Sequence, residues 1–336
     1  MKKFIALLSV ILVANIILFI PPTCQADDFG TSLKAAMASF PPYPDIAGIG
    51  GAWVAVARLS SDNPASLSIF SEFQLNAILY TNPNYIHFNR GRGAYAVNSG
   101  ILVPLVDGCL KISYTSINAD RFCNKKLSGS NYALDSKDVK IYYGKAINDK
   151  ISLGISFKPW INSKLKLQYS QVTLGKSRGK ARFNIRPGIL YQPVKGWYLG
   201  LTYEYTNERI KMITIDPLTL TNSNTANNSY AKIWRVGTSW QAKKGTLLSL
   251  DWQGGEIDDP LDRNYQINKF FFGIEQYCCQ NLAFRIGSLD GSPTFGLSLS
   301  IKKLFFDYTY IKESLSDLNP YCGSSKTHAI AMSLTF

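Results

Sequence analysis

The chain ends in Ala329-Ile330-Ala331-Met332-Ser333-Leu334-Thr335-Phe336, where apolar side chains occupy every second position and the last residue is aromatic. Successive side chains of a β-strand point to opposite faces, so this alternation predicts a strand with one apolar face and one small or polar face. Residues 295–301 repeat it, with Phe, Leu, Leu and Ile alternating with Gly, Ser and Ser. A soluble β-sandwich also alternates, but its exposed face usually carries more charge and fewer tyrosines. The sequence therefore predicts a membrane β-barrel, with Phe336 as the signal for the barrel assembly machinery.

Fourteen alternating segments can be paired along the chain. They are residues 72–81, 94–105, 108–118, 137–147, 150–165, 180–192, 195–208, 230–242, 245–254, 268–278, 280–288, 292–301, 303–311 and 326–336. An even number of strands is typical of bacterial barrels. The predicted fold is all-β, a transmembrane antiparallel barrel of about fourteen strands. Twelve and sixteen strands remain alternatives.

The connections alternate in length, which predicts the orientation of the barrel. Tight turns are predicted at Val106-Asp107, Asn148-Asp149, Pro193-Val194, Lys243-Lys244 and Lys302, and longer loops near 82–93, 119–136, 166–179, 209–229, 255–267 and 312–325. In the outer membrane of Gram-negative-type bacteria, short turns face the periplasm and long loops face outward. Both ends of this multi-pass barrel are then periplasmic. Two segments fit less well, because the external connection 289–291 is short and residues 165–175 could form a separate hairpin.

The first twenty-six residues have the pattern of a secretory signal peptide. Two lysines precede an apolar stretch from Phe4 to Ile20, two prolines end it, and Cys24-Gln25-Ala26 offers a cleavage site. A single membrane anchor and a lipid-modified Cys24 are the alternatives. The predicted organisation is a signal peptide at 1–26, an N-terminal hatch or plug segment at 27–71 and a barrel at 72–336.

Hydropathy and charge narrow the class of protein. The mean hydropathy of −0.04 suits strands with only half their side chains apolar, and beyond the signal peptide no apolar stretch is long enough to cross a bilayer as a helix. Without the two lysines of the signal peptide the formal charge falls from +13 to +11. This excess could favour outer-membrane lipid and lipopolysaccharide, although basic residues also simply flank membrane strands. No motif supports nucleic-acid binding.

Strand parity divides the barrel side chains between two environments. One parity is predicted to face lipid and includes Ile151, Leu153, Ile155, Phe157, Trp197, Leu199, Leu201, Tyr203, Leu282, Phe284 and Ile286. The other predicts a polar lumen of mixed charge lined by Lys111, Lys140, Lys158, Arg186, Glu204, Arg235, Asp251, Glu275, Arg285 and Asp307. A β-bulge would reverse every assignment beyond it on its strand.

Residues 27–71 depart from the strand pattern. The glycines at 48, 50 and 51 permit close approach of backbones, and Asp62 or Asn63 before Pro64 is suited to open a helix. The segment is therefore predicted to fold compactly, and it is large enough to plug a fourteen-strand lumen. The alternative is that residues 48–58 form an ordinary first strand followed by a turn.

Two adjacent motifs carry a family resemblance. Gly50-Gly51-Ala52-Trp53-Val54-Ala55-Val56-Ala57, followed by Asp62-Asn63-Pro64-Ala65-Ser66-Leu67, resembles the amino-terminal signature of the outer-membrane barrels that include FadL, TodX and PorV. Residues 152–157, 281–287 and the closing strand look most like the PorV branch. Two features depart from the family: Ser66 replaces a usual glycine, and residues 58–61 replace an acidic, alanine-rich spacer. The resemblance implies a barrel with an internal hatch, whose motif residues would be Gly50, Gly51, Asn63, Pro64 and Ala65.

The resemblance implies two alternative functions. In the FadL branch the barrel passes hydrophobic small molecules, which is the leading prediction. In the PorV branch it is a non-enzymatic component of a protein secretion and surface-attachment system, and its partners would be secretion-system proteins instead of a hydrophobic ligand. A purely structural surface barrel is a third alternative. No cofactor is predicted.

Cysteines and histidines give little indication of chemistry. Five cysteines remain after cleavage, and Cys123 with Cys322, both in external loops, is the predicted disulfide. The sequence has no Cys-x-x-Cys motif and only two histidines, so neither a metal site nor a catalytic site is predicted. His328 is expected to face lipid and His87 to lie in a loop. Asp258-Asp259 with Asp262 is assigned to loop solvation over calcium binding. We predict no enzyme activity.

Overall fold

The computed structural model describes residues 44–49, 51–58, 61–87, 92–123, 130–169, 172–215, 222–243, 245–258, 265–313 and 325–336. Within them lie two short helices, α1 (Pro44–Gly48) and a 3-10 helix (Pro64–Ile69). Fourteen strands follow: β1 Gln74–His87, β2 Arg92–Leu105, β3 Gly108–Cys123, β4 Ser130–Ala146, β5 Ile151–Tyr169, β6 Val172–Val194, β7 Trp197–Ile215, β8 Asn222–Lys243, β9 Thr246–Asp258, β10 Tyr265–Cys279, β11 Leu282–Leu289, β12 Ser292–Ile301, β13 Leu304–Glu313 and β14 Ser325–Thr335. The predicted signal peptide and Cys24 lie outside the described residues.

The strands form one closed antiparallel barrel in chain order. The closing strand β14 pairs with β1, from Gln74 opposite Thr335 to Thr81 opposite His328. At its end the Phe336 ring lies 5.5 Å from the ring of Phe73. Closure leaves no unpaired strand edge, which an apolar surrounding would penalise. The all-β prediction and the count of fourteen strands are confirmed, and the alternatives of twelve and sixteen are wrong.

Strands β5 to β8 extend further than their apolar alternation predicts. Tyr169 ends β5 and Val172 begins β6, so residues 165–169 and 172–175 continue these strands and form no separate hairpin. In the same way β7 and β8 occupy most of the loop predicted at 209–229. Backbone pairing does not need an apolar face, so strands continue where the alternation stops. The end of the barrel that carries these extensions is termed the long-connection end, and the opposite end the short-turn end.

Two turns at the short-turn end lie beyond their predicted positions. The turn predicted at Pro193-Val194 falls at Lys195-Gly196, and the turn predicted at Lys243-Lys244 includes Gly245. Gly196 and Gly245 take φ angles of 84° and 89°. Two-residue hairpins favour such positive φ angles, so the glycines fix where the chain turns.

The outer surface of the barrel is apolar along much of each strand. On β5, for example, Leu153, Ile155 and Phe157 are exposed whereas the alternate Ser152 and Ser156 are buried. Such an extended apolar surface requires lipid or another apolar cover. Among the described residues, neither helix has the length and apolar character needed to span a bilayer.

The described residues between 44 and 70, termed the hatch, lie inside the barrel. α1 packs against β11 to β14, and the 3-10 helix packs against β3 to β6. Between the two helices, residues 51–58 form turns and irregular backbone. The alternative in which residues 48–58 form a first strand is therefore wrong. Trp53, Val54 and Val56 are residues that favour strands, but the backbone N–H groups of Trp53 and Val54 donate to the side chain of Asp251 instead of to a neighbouring strand.

Inward-facing glycines bring the wall close to the hatch. Gly154 lies opposite both Gly144 and Gly188 on the neighbouring strands. A Cβ atom on Gly154 would overlap backbone atoms of Pro64 and Ala65. Six further wall glycines also lie close to hatch atoms. Together with Gly154 they are termed the glycine row: Gly144, Gly154, Gly188, Gly200, Gly237, Gly273 and Gly296.

Gly154→Ala should displace the 3-10 helix without preventing barrel formation, because the overlapping atoms are backbone and cannot rotate away. We expect trypsin to cleave after Arg58 several times faster than in the unmodified protein, measured by mass spectrometry of the purified barrel. Gly179→Ala is the matched control, since its Cβ would meet mainly the side chain of Ser163. Equal cleavage rates in the two variants would contradict the docking of the hatch on β5.

Candidate functional site

Asn63 joins two parts of the hatch to the wall. Its Nδ2 donates to the carbonyl of Val54 at 2.7 Å and to that of Ile189 on β6 at 3.0 Å. Its Oδ1 accepts from the backbone N–H of Ala65 at 3.0 Å, which caps the 3-10 helix, and Pro64 is the first residue of that helix. An asparagine amide can donate and accept together, which an aspartate cannot. The Asn-Pro-Ala motif is thus the joint that orders the hatch.

Asp62 forms the first of three ionic clusters between hatch and wall. Its carboxylate accepts from Lys140 Nζ on β4 at 2.9 Å, from the Tyr142 hydroxyl at 2.5 Å, and from Arg186 on β6. Arg186 also binds Glu204 on β7, with Nε 3.1 Å from Oε2. Two cations thus face two carboxylates. This balance keeps the buried charges neutralised.

Asp251 on β9 forms the second cluster. Its Oδ2 accepts from the backbone N–H groups of Trp53 and Val54 at 2.6 and 2.8 Å, and from Arg235 Nε at 2.9 Å. Arg235 also donates to the carbonyl of Gly51. Its guanidinium lies over the rings of Trp53 and Phe271, at 4.5 and 3.8 Å from their centroids. The turn of the hatch is therefore held by charge-assisted hydrogen bonds and by cation–π contacts.

Arg58 forms the third cluster, in which its guanidinium donates to both carboxylate oxygens of Glu275 on β10. Arg58 Nη1 lies 2.7 Å from Glu275 Oε2 and 3.9 Å from Asp45 in α1. Arg285 on β11 donates to the same Glu275 carboxylate at 2.6 Å. It also donates to the carboxylate of Asp307 on β13 at 3.0 Å. Partial burial lowers the pKa of Arg58, but the attraction of Glu275 outweighs it and holds the pKa above its usual value. Arg58 is therefore permanently charged.

Eight of the ten residues predicted by parity to line the lumen belong to these three clusters. The other two are Lys111, which is buried with its Nζ 5.0 Å from the centre of the Tyr142 ring, and Lys158, which is half-buried. Among the motif residues, Gly51 is buried at a φ of 78°, whereas Gly50 lies outside the described residues. Parity did not single out Tyr142 or the glycine row. The recurrence of glycine at inward positions of neighbouring strands was the signal available for the glycine row.

Apolar contacts complete the seat of the hatch. Ile46, Ile49 and Val56 pack with Ile78 of β1 and Ala331 of β14. On the opposite side of α1, Ala47 packs with Phe271, Leu289 and Ile311. On β1 and β14 the contacts described here are apolar, whereas β10, β11 and β13 carry both apolar residues and members of an ionic cluster.

Beyond the hatch, toward the long-connection end, the lumen has two kinds of wall. Four inward side chains form a buried apolar cluster, termed the apolar wall patch: Ile233, Ile257, Tyr265 and Ile267. On β6 and β7 the wall is polar, and Asn184 Nδ2 donates to Glu204 Oε1 at 2.9 Å. At this level the lumen wall is therefore apolar on one side and polar on the other.

Of the described histidines and cysteines, Cys109 alone packs near the hatch, in a buried cluster with Leu67 and Tyr142. His328 Nδ1 is 2.8 Å from the exposed Tyr308 hydroxyl on the outer surface, and the side chain of His87 lies outside the described residues. Cys109 is a buried free thiol, and Cys278 and Cys279 are exposed free thiols. The predicted disulfide cannot be placed, because the side chain of Cys123 and all of Cys322 lie outside the described residues. Asp259 and Asp262 of the acidic loop also lie outside them. The described part of the chain holds no group of metal-ligating side chains.

Comparison with known proteins places the fold. No protein-family model and no curated protein matches the chain. Among solved structures, the Ralstonia pickettii toluene transporter TbuX is similar with a TM-score of 0.60 and 14% identity, over 88% of this chain and 98% of that one. The Pseudomonas putida toluene transporter TodX gives 0.57 and 11%, and a Pseudomonas aeruginosa FadL homologue gives 0.53 and 11%, each over 88% of this chain and 98% of the other. The chain therefore has the fold of these barrels.

Asn63→Asp should loosen the hatch while preserving the helix cap. The substitution removes both N–H donors and sets a carboxylate against two buried carbonyls, at roughly 1–3 kcal/mol for each unsatisfied group. We expect higher ion conductance per barrel in planar bilayers. Asn148→Asp is the matched control, because the hydrogen bonds of the Asn148 side chain run only from backbone N–H groups to its Oδ1. Unchanged conductance of Asn63→Asp would show that Asn63 does not hold the hatch closed.

Proposed function

We propose that the chain is an outer-membrane channel through which small hydrophobic molecules pass. The observation that carries the proposal is a lumen occupied by a docked hatch, with the buried apolar wall patch in the lumen wall on one side of it. A water-filled porin needs neither feature, because hydrated solutes pass through an open polar channel. The fold shared with two toluene transporters supports the same substrate class.

Placement in the outer membrane, with both ends of the barrel in the periplasm, is part of this proposal. The apolar outer surface supports a lipid environment, and the short and long connections lie at opposite ends as they do in outer-membrane barrels. Cleavage of residues 1–26 and recognition of Phe336 by the barrel assembly machinery would bring the chain there. The hatch then lies between the periplasm and the apolar wall patch.

The interactions of the hatch suit a barrier that must both seal and release. Ion pairs can exchange their partners for water when the lumen hydrates, whereas a wholly apolar seal would expose apolar surface on opening. The clusters at Asp62, Asp251 and Arg58 lie on different strands. Partial rearrangement at one cluster would leave the others in place, so a path can open without expulsion of the hatch.

The alternative role as a PorV-like accessory of protein secretion receives no support from the structural comparisons. The solved structures described above are toluene transporters and a FadL homologue, so the similarity to the PorV branch suggested by short sequence motifs is not reflected in the fold comparison. Motifs such as residues 152–157 describe amphipathic strands, which barrels of different function share. We therefore retain transport as the proposed function.

Uptake of a radiolabelled monoaromatic hydrocarbon should be several-fold faster in a Gram-negative host that produces the chain. Ile257→Asn should reduce this uptake, because it places an amide in the apolar wall patch, whereas Ile257→Leu should retain it. A hydrophilic solute of similar size should enter at the same rate in every strain. Equal uptake of the hydrocarbon with and without the chain, at normal levels of folded barrel, would refute the proposed function.

A further inference from the structure

Seven basic side chains lie together on the outer face of the extended strands. All are exposed, and together they are termed the cationic face: Lys164, Lys166, Lys176, Arg178, Lys180, Arg209 and Lys211. They have the parity opposite to the buried Gly179 and Ile210 and therefore point away from the lumen. The cationic face spans β5, β6 and β7 at the long-connection end.

The strand register places these charges directly beside one another. Arg178 lies opposite Lys164 on β5 and opposite Lys211 on β7. Lys166 pairs in the same way with Lys176, and Lys180 pairs with Arg209. Like charges directly opposite one another destabilise a sheet. A bound anion would therefore relieve the repulsion within the cationic face.

Neighbouring carboxylates do not supply that neutralisation within the described part of the chain. Asp135 on β4 lies opposite Lys164 and borders the cationic face, and Glu208 has the inward parity. None of the seven basic residues forms an ion pair with a described carboxylate. On β8 and β9, by contrast, Lys232 pairs with Glu256 at 2.7 Å on the outer surface. A second, smaller pair of exposed and opposed lysines, Lys312 and Lys326, lies at the same end on β13 and β14.

The cationic face lies just beyond an aromatic band. Trp160, Phe183 and Tyr203 are exposed on β5, β6 and β7, and the rings of Phe183 and Tyr205 are 6.2 Å apart. Aromatic residues of this kind mark the membrane–water interface. Counted from Trp160, Phe183 and Tyr205, the basic residues begin three or four positions further along each strand, about 10–13 Å at about 3.3 Å per residue. They therefore stand at the level of lipid headgroups.

We propose that the cationic face binds the phosphate groups of lipopolysaccharide, the glycolipid of the outer leaflet. Arginine binds phosphate oxygens in a bidentate manner, and lysines add charge without fixing one geometry. Clustered basic residues at a membrane surface recognise anionic lipids in this way. The proposal rests on the outer-membrane placement proposed above and is independent of transport, because these side chains do not face the lumen.

The test uses the full mature barrel, refolded in neutral detergent free of lipopolysaccharide and titrated with diphosphoryl lipid A. The double variant Arg178→Glu with Lys211→Glu should bind diphosphoryl lipid A at least about tenfold more weakly, since each basic residue near a lipid surface contributes to the attraction of anionic lipid. Lys150→Glu with Lys195→Glu is the matched control, because both lysines are exposed at the short-turn end. Heat-modifiable migration in gel electrophoresis establishes that each variant is folded.

A second comparison needs no variant. The unmodified barrel should bind diphosphoryl lipid A more tightly than dephosphorylated lipid A, and the difference should shrink as salt is raised. Equal affinity for the two lipids, equal affinity of the two charge-reversed variants, or equally tight binding of inorganic phosphate would overturn the proposal. Hydrocarbon uptake by the Arg178→Glu and Lys211→Glu variant should be unchanged. A barrel that binds lipid A but admits no hydrocarbon would refute the channel and support the lipid site.

Discussion

A closed ring of fourteen strands encloses more space than its own inward side chains can fill, and the rest of the structure depends on how that space is occupied. The hatch occupies it at the cost of burying its own backbone polar groups. Asn63 and Asp251 satisfy several of these groups directly. Because the glycine row removes side chains from the wall, the hatch backbone can approach the strands closely. Wall and hatch therefore form one packed unit.

The charged residues of the lumen serve mainly to position the hatch. Buried ion pairs contribute little net stability, since the loss of hydration offsets much of their attraction. They do restrict which arrangement is tolerated, because a displaced hatch would remove Asp62 from Lys140, and would remove Arg58 from Glu275. Once an ion pair separates, water can hydrate both of its charged groups. A segment held in this way can be ordered when docked and still release locally when a passage forms.

The sequence was sufficient to predict the architecture but not the site. Alternation in strands such as β12 and β14 predicts the barrel, since every residue on them reports one of two environments. Alternation could not locate the ends of β5 to β8, where the strands leave the apolar region and basic residues occupy the outer face of β5 to β7. Parity identified Arg235 and Asp251 as inward residues. Their hydrogen bonds and ring contacts with Trp53 and Val54 join distant parts of the chain, which no local pattern encodes.

The barrel presents different chemistry at successive levels along its axis. The hatch occupies the end near the start of β1, the apolar wall patch follows it, and outside the wall the aromatic band gives way to the cationic face. The proposed transport function presupposes that the hatch is seated in the lumen. Ser68 of the hatch and Ser152 of β5 provide a direct check, because their hydroxyl oxygens are 2.7 Å apart.

The decisive measurement is disulfide formation in the variant Ser68→Cys with Ser152→Cys, made in a chain whose native cysteines are replaced by serine and purified from membranes. With the hatch seated as described, peptide mass spectrometry should find residues 68 and 152 linked in most of the folded barrels. The control pair Ser68→Cys with Ser163→Cys, whose second residue lies further along β5, should not link. Free thiols at 68 and 152 in folded, oxidised barrels would contradict a hatch docked in the lumen.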